Sequence, residues 1–258
     1  MDGLQKNIPG FVINTARLLY HRLFPPAHSC AYWIRKLVTN EPLSLVHIGS
    51  HDGKTGDLFF DLIHEHTHWK VLFVEPVPYL FKRLQENYPS DSRFRFENAA
   101  VNDGSSQLFY WVQEDAISHV PDLPKGFDQL GSFDRNNITK HLDGKLEHYI
   151  VEASIQGITL QALFSKHSID KLDILHIDTE GYDWKILSQL DLNKHSPLLI
   201  LFEHINLSAV EKAQAIQFLK TRFYIVELEA DFLCINRNTQ KLSKKDVLKL
   251  QRIFPLYF

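Results

Sequence analysis

Four times in this chain a short apolar run stops at a glycine or an acidic residue: 43–48 at Gly49, 71–74 at Glu75, 172–177 at Asp178 and 198–202 at Glu203. Stretches of helical periodicity lie between them, over 57–66, 79–87, 160–167 and 183–190. Strands that are mainly apolar and separated by helices predict a parallel sheet covered on both faces, because a parallel neighbour needs a long crossover and the crossover helices shield the sheet. A further strand is expected around Phe94 and Phe96, and another over 107–112. Near the C-terminus, Ser208 and Glu211 form an S-x-x-E capping box, and RFYIVEL and FLCIN follow as two strands with almost no connection. Strands joined that closely pair antiparallel.

At 258 residues and 44% hydrophobic content the chain can bury one large core. We expect a helical N-terminal extension over 1–42, built from apolar periodicity at 11–23 and a second stretch through Tyr32, Ile34 and Leu37, followed by a main domain over 43–258. The N-terminus is interrupted by Asn14, Arg17, His21 and Arg22, so it offers neither a signal-peptide core nor a membrane span. A net charge of −3 carries no footprint for nucleic acid. Cys30 and Cys234 are too few and too far apart for a disulfide framework, which fits a reducing, cytoplasmic setting; there the sequons at Asn137 and Asn206 carry no meaning. The irregular stretch 121–143 is long enough to predict a functional loop.

In an open α/β sheet the ligand sits beyond the carboxyl ends of the strands, so the residues that end strands are the informative ones. They are Gly49-Ser50-His51-Asp52-Gly53, Glu75, Asn98-Ala99, Asp178 and Glu203-His204. The dinucleotide pattern G-x-G-x-x-G fails, since His51 and Lys54 occupy two of its glycine positions. Gly49 and Gly53 suit either a close backbone approach to a ligand or a tight turn. Glu75 stands where an acid accepts both hydroxyls of a ribose. An adenosine ligand without pyrophosphate satisfies both observations, and S-adenosyl-L-methionine is one.

The chain resembles the FkbM-type S-adenosylmethionine-dependent methyltransferases over roughly residues 46–236. The resemblance rests on HIGSHDG, VEPVP, NAAVND-G, GSF at 131–133 and LDILHIDTEGYDWKIL. It implies a Rossmann-like class I methyltransferase fold with a mostly parallel seven-stranded sheet and a terminal antiparallel hairpin. It also implies cofactor contacts from Gly49, Ser50, His51, Asp52, Gly53, Glu75, Asn98, Ala99 and Asp178, and O-methylation of a hydroxyl on a sugar, glycan or secondary metabolite. His47 stands where the family usually has an acid, with Asp52 as a substitute for its support, and His176 where it commonly has lysine. Strand alternation places His176 and Asp178 on one face. Asp178 is therefore the expected orienting or base residue, with His176 or His204 as alternative proton acceptors and Tyr110, Trp111 and Phe133 as walls of the acceptor pocket.

Two other readings compete. HEHTH at 64–68 matches H-E-x-x-H and invites a zinc hydrolase with His64 and His68 as ligands and Glu65 as base, although the match falls at the sheet edge opposite the strand termini. A non-catalytic binding module on the same fold is the other, kept open by His47 and His176. No metal is assigned.

Overall fold

The computed structural model describes residues 26–120, 122–124, 126–254 and 256–257. The expected helix at 11–23 lies outside the described residues. Helix α1 (Cys30–Leu37) opens the described chain, capped by the Ser29 hydroxyl, which accepts from Tyr32 N–H at 3.3 Å. Then follow β1 (Ser44–Ile48), α2 (Phe60–Glu65), β2 (Lys70–Val74), α3 (Pro78–Asn87) and β3 (Phe94–Glu97). Later come α6 (Leu160–Lys166), β6 (Ile174–Ile177), α7 (Asp183–Leu187) and β7 (Leu199–Glu203). The chain closes with α8 (Ala209–Leu219), β8 (Phe223–Glu227), β9 (Asp231–Asn236), α9 (Lys244–Ile253) and β10 (Leu256–Tyr257).

The main sheet has the order β3-β2-β1-β6-β7-β9-β8-β10. Its first five strands are parallel and the last three antiparallel. The expected parallel sheet with helices and terminal hairpin is present, and β10 makes it eight-stranded by adding two residues at the edge beyond the anticipated seven. From β1 the chain builds outward to β3, then returns to place β6 on the other side of β1. That reversal makes the carboxyl ends of β1 and β6 the switch point at which ligands bind.

Alternation in the strands feeds two cores. Val46, Ile48, Leu175 and Ile177 pack under α6, α7 and α8, while Leu45, Phe73, Ile174 and Leu201 pack under α1, α2, α3 and α9. The capping box at Ser208 and Glu211 is present as predicted, and a second one, Ser243 with Asp246, starts α9.

Between β3 and α6 the chain leaves the sheet. Strands β4 (Ser106–Val112) and β5 (Ile150–Gln156) form a separate antiparallel ribbon in register from Ser106↔Gln156 to Val112↔Ile150. The predicted strand over 107–112 is thus real but lies outside the main sheet. The segment between these strands carries α4 (Ala116–His119) and α5 (Arg135–Thr139), so the anticipated long loop contains a helix. An isolated two-stranded ribbon is marginal in water. This one has its own small core of Val112, Ala116, Phe127, Leu130, Ile138 and Leu146. Ribbon and insertion form a cap over the carboxyl end of the sheet.

Candidate active site

Beneath the cap lies a cleft of about 200 Å³ that opens to solvent on one side. Its floor is the carboxyl edge of β1, β2, β6 and β7. Gly49 adopts φ +78°, and a Cβ there would overlap the carbonyl oxygen of Asp178, so the two central strands close on each other at this point. Of the glycine loop, Gly49 and His51 line the cleft. Ser50 is buried and staples β1 to β2, donating to the His47 carbonyl at 2.7 Å and accepting from Val74 N–H at 2.9 Å. Asp52 accepts from the N–H groups of Lys54 and Thr55 and holds the turn. Gly53 faces α3, where a Cβ would press into Leu84 and Tyr88. Its lack of a side chain therefore serves helix packing.

Glu75 is 4% exposed and held at both oxygens, Oε2 accepting from His51 N–H and Oε1 from Val77 N–H, each at 2.8 Å. Burial still pushes its pKa up to about 7. Asn98 does not line the cleft. Its amide donates to the Glu75 and Pro76 carbonyls at 2.8 and 3.1 Å, while Ala99 next to it does face the cavity.

His51 couples the floor to the cap. Its Nε2 lies 3.3 Å from Asp128 Oδ1 and its Nδ1 lies 3.3 Å from Asp52 Oδ1. Burial opposes the charge, but Asp128 and Asp52 outweigh it and raise the imidazole to about 9. Asp128 is also bonded by Arg83 at 2.9 Å, and Gln129 donates to the Thr55 carbonyl at 2.7 Å. Cap residues 128 and 129 are thus tied to the glycine loop.

At the other end, Asp178, Glu180 and Glu203 bring three carboxylate oxygens within 4.8 Å of one another, and this is the one group of three or more such side chains found among the described residues. Asp178 meets solvent through the cleft, yet protein surrounds it closely enough that burial, with Glu203, Asp231 and Asp57, raises it to about 8. Burial, Glu203 and Asp178 lift Glu180 to about 8 as well. Glu203 is also raised, chiefly by burial. Asn206 donates one N–H to Glu180 Oε2 and one to Glu203 Oε2, both at 2.8 Å. Glu180 itself sits at φ +51°, with its carbonyl accepting from Ser132 Oγ at 3.0 Å and Asn137 Nδ2 at 2.5 Å. A non-glycine residue in this region is costly and persists where its surroundings over-determine it.

The sequence model of the methyltransferase FkbM domain matches residues 47–232, well over half of the chain. The chain belongs to the FkbM methyltransferase family. No curated protein matches it. Among solved structures it is similar to human methyltransferase-like protein 13 in complex with SAH, at 12% identity and a TM-score of 0.42, covering 90% of this chain and 89% of that one. A fibrillarin/Nop5p complex aligns at 10% identity and a TM-score of 0.40 over 77% and 73%. M. capricolum TrmK in complex with SAH aligns at 11% and 0.37 over 86% and 74%.

As an FkbM methyltransferase the chain uses S-adenosyl-L-methionine, and the cleft fits that cofactor. Leu80, Val101 and Phe109 offer an apolar slot beside Ala99, Glu75 stands ready-oriented for a diol, and the carboxylates at the far end match a ligand carrying a sulfonium and an ammonium. No helix among the described residues is long and apolar enough to cross a membrane.

The two histidines expected as proton acceptors, His176 and His204, do not line the cleft. His176 stacks on His47 with ring centroids 4.2 Å apart and packs on Phe59 at 5.2 Å, under α2. Burial pushes His176 down to about 3 and His47 well below its ordinary value. The shared strand face with Asp178 does not bring His176 to the cavity, because Asp178 lies past the strand's end where the cleft opens. His204 stacks on Phe232 at 4.2 Å with Nε2 against the Leu228 carbonyl at 3.1 Å. Tyr110 and Trp111 are absent from the cavity wall, whereas Phe133 lines it and contacts Tyr182 at 4.5 Å between centroids.

The zinc reading fails on geometry. Helix α2 ends at Glu65, so His64 and His68 share no helical face. His64 Nδ1 is engaged by the Phe60 carbonyl at 2.8 Å, and Glu65 is paired with Arg35. Three residues that line or support the site escaped the sequence pattern: Glu180, Asn206 and Asp128. Only Glu180, two positions after a strand-ending aspartate, carried a usable signal.

Proposed function

We propose that this methyltransferase transfers the methyl group to a hydroxyl of a sugar, glycan or secondary metabolite, with a carboxylate of the Asp178, Glu180 and Glu203 group taking the hydroxyl proton. The observation that carries the reading is the convergence of those three side chains at one end of the cofactor cleft, two of them raised to about 8. A base is most effective when its pKa lies near the working pH, and such a group is worth about 10²–10⁴-fold.

The bound cofactor supplies an electrophilic methyl on a sulfonium that leaves as a neutral sulfide. Glu75, with both oxygens fixed by backbone donors, holds the ribose hydroxyls and sets the ligand's depth. Gly49 and Ala99 border the rest of its path along the floor. Phe133 and Phe109 wall the cleft and exclude water. In the transfer a C–O bond forms as the methyl–sulfur bond breaks, and the hydroxyl proton passes to a carboxylate oxygen. Since the carboxylates repel one another, ionising one of them is easier when positive charge is brought to the same end of the cleft. The protein is cytoplasmic in this reading, and the acceptor is a small molecule or glycan rather than a nucleic acid.

A panel of hydroxylated acceptors, incubated with the protein and methyl-labelled S-adenosylmethionine, tests the reading. Label recovered as a methyl ether, lost about a hundredfold or more in Glu180→Gln or Asp178→Asn, is the expected result. Label on nitrogen, or transfer that survives both substitutions, overturns it.

A further inference from the structure

Lys140 directly follows α5 in the cap, and its ammonium donates to Asn206 Oδ1 at 2.5 Å and to Asn137 Oδ1 at 2.9 Å. Asn206 belongs to the body of the protein, three residues after β7 ends. An ammonium can only donate, so it takes the carbonyl oxygen of the Asn206 amide. The NH₂ group must then face the other way, where it meets Glu180 Oε2 and Glu203 Oε2 at 2.8 Å each. The flipped amide would set its NH₂ against the ammonium, losing the Lys140 hydrogen bond for a repulsion.

We propose that Lys140 is a positioning residue for the acid pair, fixing the Asn206 amide so that one NH₂ group holds Glu180 and Glu203 in place at the acceptor end of the cleft. The inference rests on the reading of these carboxylates as the proton-accepting group. It also gives the cap a role in catalysis, since Lys140 reaches the acids only while the cap is seated on the body.

The surroundings explain why such a hold is needed. Glu180 faces Asp178 from the end of β6 and Glu203 from β7; Glu203 faces Asp231 from the start of β9; Asp183, in the first turn of α7, is fully buried close to Asp178 and Glu203. Among these crowded acids, Asn206 is the amide shared by Glu180 and Glu203, and Lys140 is the ammonium that holds its oxygen. Its own side chain is exposed, so replacing it opens no cavity in the core.

The test needs neither an acceptor nor turnover. Protein labelled with carbon-13 at the glutamate carboxyl is titrated by NMR, with Glu180 and Glu203 assigned from the signals missing in Glu180→Gln and Glu203→Gln. In Lys140→Met both midpoints should rise by about half a unit to one unit, a three- to tenfold change in ionisation constant, and Lys140→Arg should restore them. In an Asn206→Ala background, Lys140→Met should add little, because a residue acting through Asn206 loses its path when Asn206 is removed. Unmoved midpoints in Lys140→Met overturn the proposal. So does an equal rise with and without Asn206, which would mean that Lys140 acts by bare charge. A cooperative thermal unfolding transition in each variant reports that the protein is folded. If Glu180→Gln keeps full methyl transfer, the base reading fails separately, whatever the titration shows.

Discussion

Gly49 and Asp178 touch backbone to backbone at the carboxyl ends of the two central strands, with no room for a single added carbon between them. The contact sets the floor of the cleft, because it fixes where β1 turns away and where the Asp178 side chain starts. Gly49→Ala must therefore push β1 and β6 apart as well as strain a backbone at φ +78°. We expect a stability loss of about 2 kcal/mol or more and a drop in S-adenosylmethionine affinity at temperatures where the variant is folded. Thermal unfolding with and without cofactor measures both.

The carboxylates make cofactor binding depend on pH. Asp178 and Glu180 are raised to about 8, and Glu75 to about 7, so at neutral pH the ligand-free cleft holds protons. A cationic ligand favours the ionised forms and expels some of them. Affinity for S-adenosylmethionine should therefore rise from pH 6 to 9, by about tenfold per proton released over each unit of pH. S-adenosylhomocysteine lacks the sulfonium charge and should show a shallower rise. Calorimetric titration in two buffers of different ionisation enthalpy counts the protons released.

Stability of the ligand-free protein should move the opposite way. Glu75, Asp57, Asp178 and Glu180 have folded pKa values of about 7 to 8, above their ordinary range near 4, and His51 is raised to about 9. A group raised on folding stabilises fully below its unfolded pKa, and that contribution disappears as pH rises through the folded value. The carboxyl groups therefore lose their contributions by the time pH reaches 9, where His51 is in the middle of losing its own. The melting temperature should fall between pH 7 and 9, and S-adenosylmethionine should recover more of it at pH 9 than at pH 7. A melting temperature flat or rising over this range would contradict the assignment of these groups.

His176 and His47 should be replaceable without loss of the cofactor. The Nδ1 of each is buried without a hydrogen-bond partner, and both imidazoles are kept neutral by burial. Replacing an unsatisfied buried polar group by an apolar one of similar shape is close to neutral. We expect His176→Leu to keep S-adenosylmethionine affinity within about twofold and to change stability by about 1 kcal/mol or less. A large loss of affinity, read by the same titration, would return His176 to the site.

The sequence was informative wherever chemistry coincided with a strand end. Gly49, Glu75 and Asp178 were visible because an apolar run stops at each, and the structure places all three on the cleft. Ser50, Asp52 and Gly53 share the same loop but point into turn and helix contacts, a difference of orientation that spacing alone does not encode. His176 packs on His47 and Phe59 and not on the cleft, because alternation assigns a face and not a depth. For the cap the sequence predicts only a single strand and a loop, since β5 pairs with β4 across 37 intervening residues and its IVEASIQ sequence alternates only weakly. Lys140 and Asn206 lie 66 positions apart and meet only once the cap is seated.

The most direct test is titration of the wild-type protein and of Glu75→Ala with S-adenosylmethionine and S-adenosylhomocysteine. Both Glu75 oxygens already accept backbone N–H groups from His51 and Val77, so even an amide at this position would set NH₂ against N–H. The account predicts one binding site for each ligand in the wild type and at least about a tenfold loss in Glu75→Ala, the cost of one charge-assisted hydrogen bond. Equal affinity in the two proteins, or no binding of either ligand to the wild type, would contradict it.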